Sequence, residues 1–575
     1  MRKKALPVGI EDFGEMVKNY YYVDKSLFIK ELLDKKGSVN LFTRPRRFGK
    51  SLNMSMLQHF FDANFGKGQN LFQNLKISDQ GASYLQHQNA YPVIDLTFKD
   101  VFGEDFTSAF KKLMSSVIKE YERHQYVLDN PNMSDLHKEQ YRFILAQIVD
   151  KERNSSELSY YIATMKSTFS DSLEFLCRVL SNHYQRKTVI LIDEYDTPLE
   201  KAYFENYYAE MLPFIRSFFL QALKTNKNLE FAVMTGCLRV SKESIFTGLN
   251  NLHIHGITSE GYGEYFGFTE HEVKDMLAYY ELSYKEAEIR DWYNGYLFGN
   301  TTVYNPWSVN RYLYDISENS NAFPKPYWSN TSSNTIVKNL IHLAKDETKD
   351  ELETLMRGNQ ITKKIKEDIV YGDIELNMDN LWNFLFFTGY LKKTSQRLIG
   401  EDIYMELKIP NREIRKIYND QIAGWFNEQL KTTSLANIHE ALLDMNEQQL
   451  EHHLSELLLA TISYLDAAEN FYHGFLLGIL SSLNGYIVKS NREHGKGRSD
   501  ITLEPRSRRN SAFIIELKIA KSMEELSLKC EEALNQIEEK SYDKELLERG
   551  FASIRKYGIA FYGRDCEVKA GLPNR

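Results

Sequence analysis

The sequence predicts an α/β fold built in several parts: a parallel sheet covered by helices over residues 1–260, a helical lid with a small α+β connector over 261–440, and a second, smaller α/β domain over 441–575. Three observations carry this expectation. Short apolar runs alternate with helix-period segments through the first part. Two of those runs end in polar or acidic residues, as strands do where an α/β sheet holds its ligands. And 575 residues exceed what one hydrophobic core can organise.

Residues 7–35 read as a short turn followed by an amphipathic helix, with Tyr22, Val23, Phe28, Ile29, Leu32 and Leu33 as its apolar set. Asp24 and Lys25 precede the next strand and are candidates to contact a nucleotide base, with a surface salt-bridged turn as the plain alternative. The stretch Ser38–Phe60 follows. Val39 to Phe42 forms a buried strand, a loop closes on Gly49-Lys50-Ser51, and Leu52, Met56, Leu57 and Phe60 recur at helical spacing. Strand, Gly-Lys-Ser loop and helix make the context of a phosphate-binding loop, in which backbone N–H groups and the helix dipole favour an anion. Lys50 would reach the β- and γ-phosphates and Ser51 would ligand Mg²⁺. The match to G-x-x-x-x-G-K-[ST] is incomplete, because Arg44 stands where the first glycine belongs, and the loop is basic through Arg44, Arg46 and Arg47. Arg47 and Gly49 join the candidate nucleotide-binding set.

Tyr91–Phe98 suits a buried parallel strand. Residues 104–186 read as mostly helical. Thr188–Asp196 then runs apolar into Asp193 and Glu194. Asp193 can hold Mg²⁺ beside Ser51, and Glu194 can orient the attacking water. A helix from Tyr207 to Leu223 leads to the strand Leu229–Gly236, where Thr235 sits in position to sense a γ-phosphate. Arg239 can reach phosphate in the same or a neighbouring subunit, or make a structural salt bridge. His253–Ile257 closes the sheet.

Thr269 caps a helix and Glu272 completes a capping box. Aromatic-glycine and Asn-Pro clusters at 291–296 and 303–308 mark turns, with a helix beginning near Ser308. Residues 370–440 read as helix, hairpin, helix, a pattern that admits a winged-helix-like connector.

A second constellation lies near the C-terminus. A helix over 452–483 carries Glu469 and His473 on one face. A strand at Tyr486–Ser490, a glycine-containing turn over Asn491–Asp500, and a strand Ala512–Lys518 then place Asp500 beside Glu516 and Lys518, which project from the same face. Carboxylates that hold Mg²⁺, with a lysine to place positive charge on the transition state, suit metal-dependent phosphodiester hydrolysis. Glu469 is a further candidate metal ligand, and Gln536 can reach the site from a helix shared with Tyr542. His473 reads as a packed or capping residue. From Gly485 to Lys521 nine Lys/Arg face four Asp/Glu, a local excess of five positive charges in a chain of net −8, so any contact with nucleic acid belongs to this patch.

The remaining composition is that of an ordinary globular protein, 42% hydrophobic and 26% charged. No apolar stretch reaches the length of a membrane span, the N-terminus lacks a signal-peptide core, and four scattered cysteines read as reduced thiols; the expectation is a cytoplasmic protein.

The motifs TRPRRFGKS, LIDEYD, MTGCLRVSKESIFTGLNN, WYNGY, VYNPWS and YWSNTSSN resemble the AAA-ATPase-like proteins of anaerobic bacteria, and ENFYHGFLLGIL, SNREHGKGRSDI and IIELK resemble their C-terminal PD-(D/E)XK nuclease domain. The resemblance implies an ASCE/AAA-like P-loop ATPase, with its Walker A and Walker B elements, fused to a nuclease-superfamily fold. Arg44 then looks like a family trait, and Ser499 stands where the nuclease motif usually has proline. The expected activity is an ATP-binding ATPase controlling a Mg²⁺-dependent nuclease, Mn²⁺ also serving at the nuclease site, that acts on DNA more readily than RNA and can form a homo-oligomer. The alternative is an ATP-dependent switch whose nuclease-like domain binds nucleic acid or a partner without cleaving.

Overall fold

The computed structural model describes the chain apart from residues 1–2, 67–70, 148–154, 240–244, 247, 331–350, 353, 357, 368–377, 419–434, 462–468, 495–496, 509, 552 and 572–575. It divides into two compact units, one of Met1–Val337 with Gln360–Ile417, the other of Lys338–Asn359 with Tyr418–Arg575.

The first unit is organised on a five-stranded sheet: β1 (Val39–Thr43), β2 (Val93–Thr97), β3 (Thr188–Asp193), β4 (Leu229–Gly236) and β5 (Leu252–His255), in the order β2-β3-β4-β1-β5. Every pairing is parallel. β1 and β3 are buried along their whole length, which is why their sequences read as continuous rather than alternating apolar runs. The crossovers are helical. Lys50–Phe61 follows β1; Phe106–Arg123, Asp135–Leu145, Ser155–Ser170 and Ser172–Tyr184 separate β2 from β3; Thr197–Phe204 and Tyr208–Leu223 separate β3 from β4. The chain order puts β4 between the strand that feeds the glycine loop and the strand that ends in Asp193.

Beyond β5 the texture is mixed rather than purely helical. Helices Glu270–Tyr280, Glu286–Tyr293 and Pro306–Glu318 pack around a small antiparallel sheet, β6 (Phe268–Thr269), β7 (Tyr296–Phe298) and β8 (Thr301–Tyr304), ordered β6-β8-β7. A lid made of helices alone is thereby corrected: the aromatic-glycine cluster at 293–296 turns the chain into a hairpin, which a helical period cannot reveal. Thr269 caps its helix and Glu272 completes the capping box. In residues 360–417, the helix Met378–Phe387 leads into the hairpin β10 (Lys392–Ile399)–β11 (Asp402–Lys408). A strand the sequence did not announce, β9 (Ile361–Lys364), pairs with β11.

The second unit holds a mixed sheet of β12 (Tyr486–His494), β13 (Gly497–Pro505), β14 (Ala512–Ile519), β15 (Ile554–Tyr562) and β16 (Asp565–Gly571), in sequential order. All pairs are antiparallel except β14 with β15, which are parallel and joined through the helices Leu526–Lys540 and Tyr542–Glu548. Strand pleat separates two cores. Phe513, Ile515 and Leu517 pack with Ile501, Leu503 and the helices of 436–483, whereas Ala512 and Ile514 pack with Ile537 and Leu546 on the other side.

Two sequence expectations need correction here. Residues 491–494 and 497–499 belong to β12 and β13 rather than to a turn, so Asp500 is the fourth residue of its strand rather than the first. Gln536 and Tyr542 lie on two helices, broken at Ser541, whose φ of 53° ends the first. The expected helix over 452–483 appears as Glu447–Thr461 and Glu469–Ser481, with 462–468 outside the described residues.

Lys556 on β15 is fully buried, with its ammonium 2.7 Å from Asp543 and 2.7 Å from the exposed Glu538. Removing one member of a buried pair strands the other. Lys556→Met leaves the buried Asp543 without its cation and should lose about 3 kcal/mol in urea denaturation, whereas the double replacement Lys556→Met with Asp543→Leu should stay within about 1 kcal/mol of the wild type.

Candidate functional site

Two groups of polar side chains stand out, one at the strand ends of the first unit and one within the paired strands β13 and β14 of the second.

In the first unit β1 delivers the chain into Arg44–Gly49. Gly49 has φ 82° and precedes the helix Lys50–Phe61, and a Cβ placed there would meet nothing within 4 Å, so the left-handed turn opens onto space. Lys50 is only 4% exposed. Its ammonium lies 3.1 Å from the Arg44 carbonyl, 3.2 Å from the Pro45 carbonyl, 3.6 Å from Cys237 Sγ and 3.9 Å from Glu194. Burial pulls its pKa down, but Cys237, Glu194, Asp193 and Asp196 outweigh that pull, and it stands above the ordinary lysine value.

Asp193 ends β3 buried. Ser51 Oγ donates to its Oδ2 at 2.6 Å, and Thr235 Oγ1 at the end of β4 donates to its Oδ1. Burial and then the Glu194 charge push its pKa up, while both hydroxyls and Lys50 pull it down. Glu194 adopts φ 56°, and its carboxylate accepts from Thr197 Oγ1 at 3.1 Å. Lys50, Ser51, Asp193, Glu194 and Thr235 are thus brought together. Arg239 is half-buried and pairs with Glu367 at 3.1 Å.

The three loop arginines have separate fates. Arg44 is fully buried, donates to the carbonyls of Thr43 (2.9 Å) and His255 (2.6 Å), and lies over the Phe266 and Phe298 rings. Burial holds its guanidinium below the usual arginine range. Arg46 makes a two-oxygen pair with Glu200 at 2.8 and 2.9 Å. Arg47, at φ 71°, stacks on Trp307. Asp24 and Lys25 do not stand ready for a base. Asp24 accepts from the Ser26 and Lys76 amides, and Lys25 is buried against Glu272 and the Glu264 carbonyl. Burial lowers the Lys25 pKa, and the Glu272 carboxylate opposes that shift only in part.

Sequence reading gave no role to Tyr195, Asp196 or Cys237. Asp196 Oδ2 accepts the Cys237 and Leu238 amides, each at 2.9 Å, and Tyr195 donates to the Leu238 carbonyl at 2.7 Å. These two residues fix the segment after Thr235. The only signal was a third acid in Asp193-Glu194-Tyr195-Asp196.

In the second unit Asp500 and Glu516 meet across β13 and β14. The Leu517 amide donates to Asp500 Oδ2 at 2.8 Å, and the Asp500 amide points to Glu516 Oε2 at 3.4 Å. Glu516 is 1% exposed, accepts the side-chain amide of Gln536, and lies 3.8 Å from the Lys518 ammonium. Tyr542 reaches Gln536 at 3.4 Å, completing a group the sequence had placed on one helix. His473 donates to the Asp500 carbonyl at 2.9 Å, so it holds the strand. Glu469 falls at the first residue of its helix; its side chain, and those of the basic stretch 491–499, lie outside the described residues.

The fold and its two polar groups define an α/β chain with an ATPase-like N-terminal body and a nuclease-like C-terminal one. Comparison with known proteins gives the same division: residues 7–246 match the family model described as predicted AAA-ATPase, and residues 467–571 match the PD-(D/E)XK nuclease superfamily. A protein of Azotobacter chroococcum mcd 1, named "Uncharacterized protein in vnfD 5'region", is 26% identical over 425 residues, covering 73% of this chain and 70% of its own. No solved structure matches. Among the described residues no helix is long and apolar enough to cross a membrane.

Asp196 is 1% exposed, and burial and then Glu194 push its carboxyl to about 7. The folded state therefore binds this proton more tightly than the unfolded chain, so its contribution to stability is full below the ordinary carboxylate range and is lost as pH rises through about 7. Asp196→Asn keeps an acceptor for the two amides and removes the titration. Its stability relative to wild type should rise between about pH 4 and pH 8, by up to about 4 kcal/mol, read from urea midpoints across that range.

Proposed function

We propose that this chain binds ATP at Gly49, Lys50 and Ser51 with Asp193, Glu194 and Thr235, hydrolyses it, and uses the nucleotide state to control phosphodiester hydrolysis at Asp500, Glu516 and Lys518. The observation that carries the first half is the buried Asp193 carboxylate, held by the Ser51 and Thr235 hydroxyls within reach of the Lys50 charge. The observation that carries the second is the convergence of Asp500, Glu516, Lys518 and Gln536 on one face of one sheet.

The donor sets fit Mg²⁺, a hard cation that takes oxygen ligands. Ser51 and Asp193 would hold it at the first site, and Asp500 and Glu516 at the second, with Glu469 as a further ligand and Mn²⁺ as a substitute. When bound, the ion supplies charge neutralisation and Lewis acidity. The chain's own groups do the rest. Lys50 places a desolvated positive charge at the loop, and Arg47 and Gly49 shape the backbone there. Glu194, held by Thr197, accepts a hydrogen bond from the attacking water. Arg239 supplies charge to the phosphate after leaving Glu367, in the same subunit or in a neighbouring one of a homo-oligomer. At the second site Lys518 stabilises the charge that develops on phosphate, and Gln536 fixes the Glu516 carboxylate. The net positive charge of 485–521 favours a nucleic acid substrate; DNA rather than RNA is the substrate proposed.

Wild type, Lys50→Ala and Lys518→Ala should be incubated with linear, circular and single-stranded DNA and RNA, with and without ATP and Mg²⁺. Lys518→Ala should retain nucleotide binding and lose cleavage by a factor of at least about 100. Lys50→Ala should lose nucleotide binding and the ATP dependence of cleavage. Cleavage that survives Lys518→Ala sinks the nuclease assignment. Nucleotide bound without turnover, and no nicking by wild type with either metal, favours the switch that binds without cleaving.

A further inference from the structure

The loop of the candidate nucleotide site does not hold its own shape. Arg44 replaces a glycine, and Arg47 sits at φ 71°, a left-handed conformation that non-glycine residues keep only where the surroundings enforce it. The surroundings come from far downstream in the same compact unit, and they touch four consecutive loop residues. Pro45 lies so close to Gly389 that a Cβ there would stand 3.0 Å from its ring carbons. The Arg46 carbonyl accepts the indole N–H of Trp328 at 3.2 Å. The Arg47 guanidinium lies 3.9 Å from the centre of the Trp307 ring. Phe48 packs edge-on against Tyr296 and Phe298, with ring centres 4.9 and 5.0 Å away.

This collar is itself tied together. Trp328 is fully buried against Tyr390, and its backbone N–H donates to Glu413 at 3.0 Å. The same Glu413 oxygen accepts the Ser308 hydroxyl at 2.8 Å, one residue beyond Trp307. Burial pushes the Glu413 carboxyl up to about 8. One fully buried carboxyl therefore joins the two tryptophans that grip the loop.

We propose that this collar sets the phosphate-binding shape of the loop, with Trp328 as its positioning residue, so that nucleotide on the loop and the closed collar stabilise each other. The inference rests on the reading that the loop binds ATP. Trp328 acts through the Arg46 backbone. By linkage, whatever loosens the collar weakens nucleotide binding, and bound nucleotide tightens the collar by the same factor. A partner that shifts the collar residues Tyr296, Trp307, Trp328 or Glu413 would thereby tune the nucleotide site.

Calorimetric titration of the full chain with Mg²⁺ and a slowly hydrolysed ATP analogue tests this. Trp328→Phe keeps a ring against Tyr390, removes the N–H donor and leaves a smaller side chain in the same buried position. Its Kd should rise about five- to tenfold with the number of sites unchanged, the factor expected for one net hydrogen bond. In the wild type, hydrogen exchange at the Trp328 amide should slow when nucleotide binds. A purely structural role lowers the number of sites at unchanged Kd, and that result overturns the proposal, as does an unchanged Kd with full occupancy. A wild type that binds no better than Lys50→Ala instead defeats the ATP reading on which the proposal stands. If circular dichroism shows Trp328→Phe unfolded, Trp307→Leu carries the same comparison through Arg47: a raised Kd supports the collar, and an unchanged one overturns it.

Discussion

The Asp193 carboxylate is the knot of the first unit. It is buried at the end of β3, an expensive place for a negative charge unless hydrogen bonds replace the lost water. Two hydroxyls do so, Ser51 from the helix after β1 and Thr235 from the end of β4. Three elements distant in the chain are thereby fixed at one point. Other features follow from it. Glu194 turns left-handed directly after it, Tyr195 and Asp196 run on to bind the segment after Thr235, and Gly236 is required because any Cβ would stand 2.5 Å from Asp196 Oδ1 and the Tyr195 ring.

The loop beside this knot illustrates a different economy. Phosphate loops commonly derive their shape from glycines, which accept unusual backbone angles without steric penalty. Here Arg44 occupies the first glycine position, Arg46 and Arg47 follow it, and each is committed elsewhere: Arg44 to the His255 carbonyl, Arg46 to Glu200, Arg47 to Trp307. The sequence shows only that the loop is basic through Arg44, Arg46 and Arg47. Their partners show that much of that charge is used to hold the loop, leaving Lys50 at its centre.

The second unit reaches its site by pleat. Alternate residues of β14 face opposite cores, so Glu516 and Lys518 share a side with Ala512 and Ile514, under the helix that brings Gln536. The same alternation on β13 sends Ile501 and Leu503 to the other core, leaving Asp500 toward Glu516. A shift of one residue in either strand would turn these carboxylates into the opposite core, so register decides whether the group exists.

Much of this was legible in the sequence, because buried parallel strands, a glycine-lysine loop, a capping box and a Glu-x-Lys strand are local patterns set by backbone geometry and side-chain period. Those patterns predicted the five strands of the first sheet, the helix that begins at Lys50, and the pairing of the strands that carry Asp500 and Glu516. What they could not contain is decided by contacts between residues tens to hundreds of positions apart. That Lys25 answers Glu272, that β9 joins the β10–β11 hairpin, that Asp196 holds the Cys237 segment and that Trp328 reaches the Arg46 carbonyl all depend on desolvated partners found only after packing. The sequence by itself determined which residue types were available at each strand end; the tertiary structure alone decided their partners, because a buried polar group takes whichever partner the fold brings within hydrogen-bonding distance.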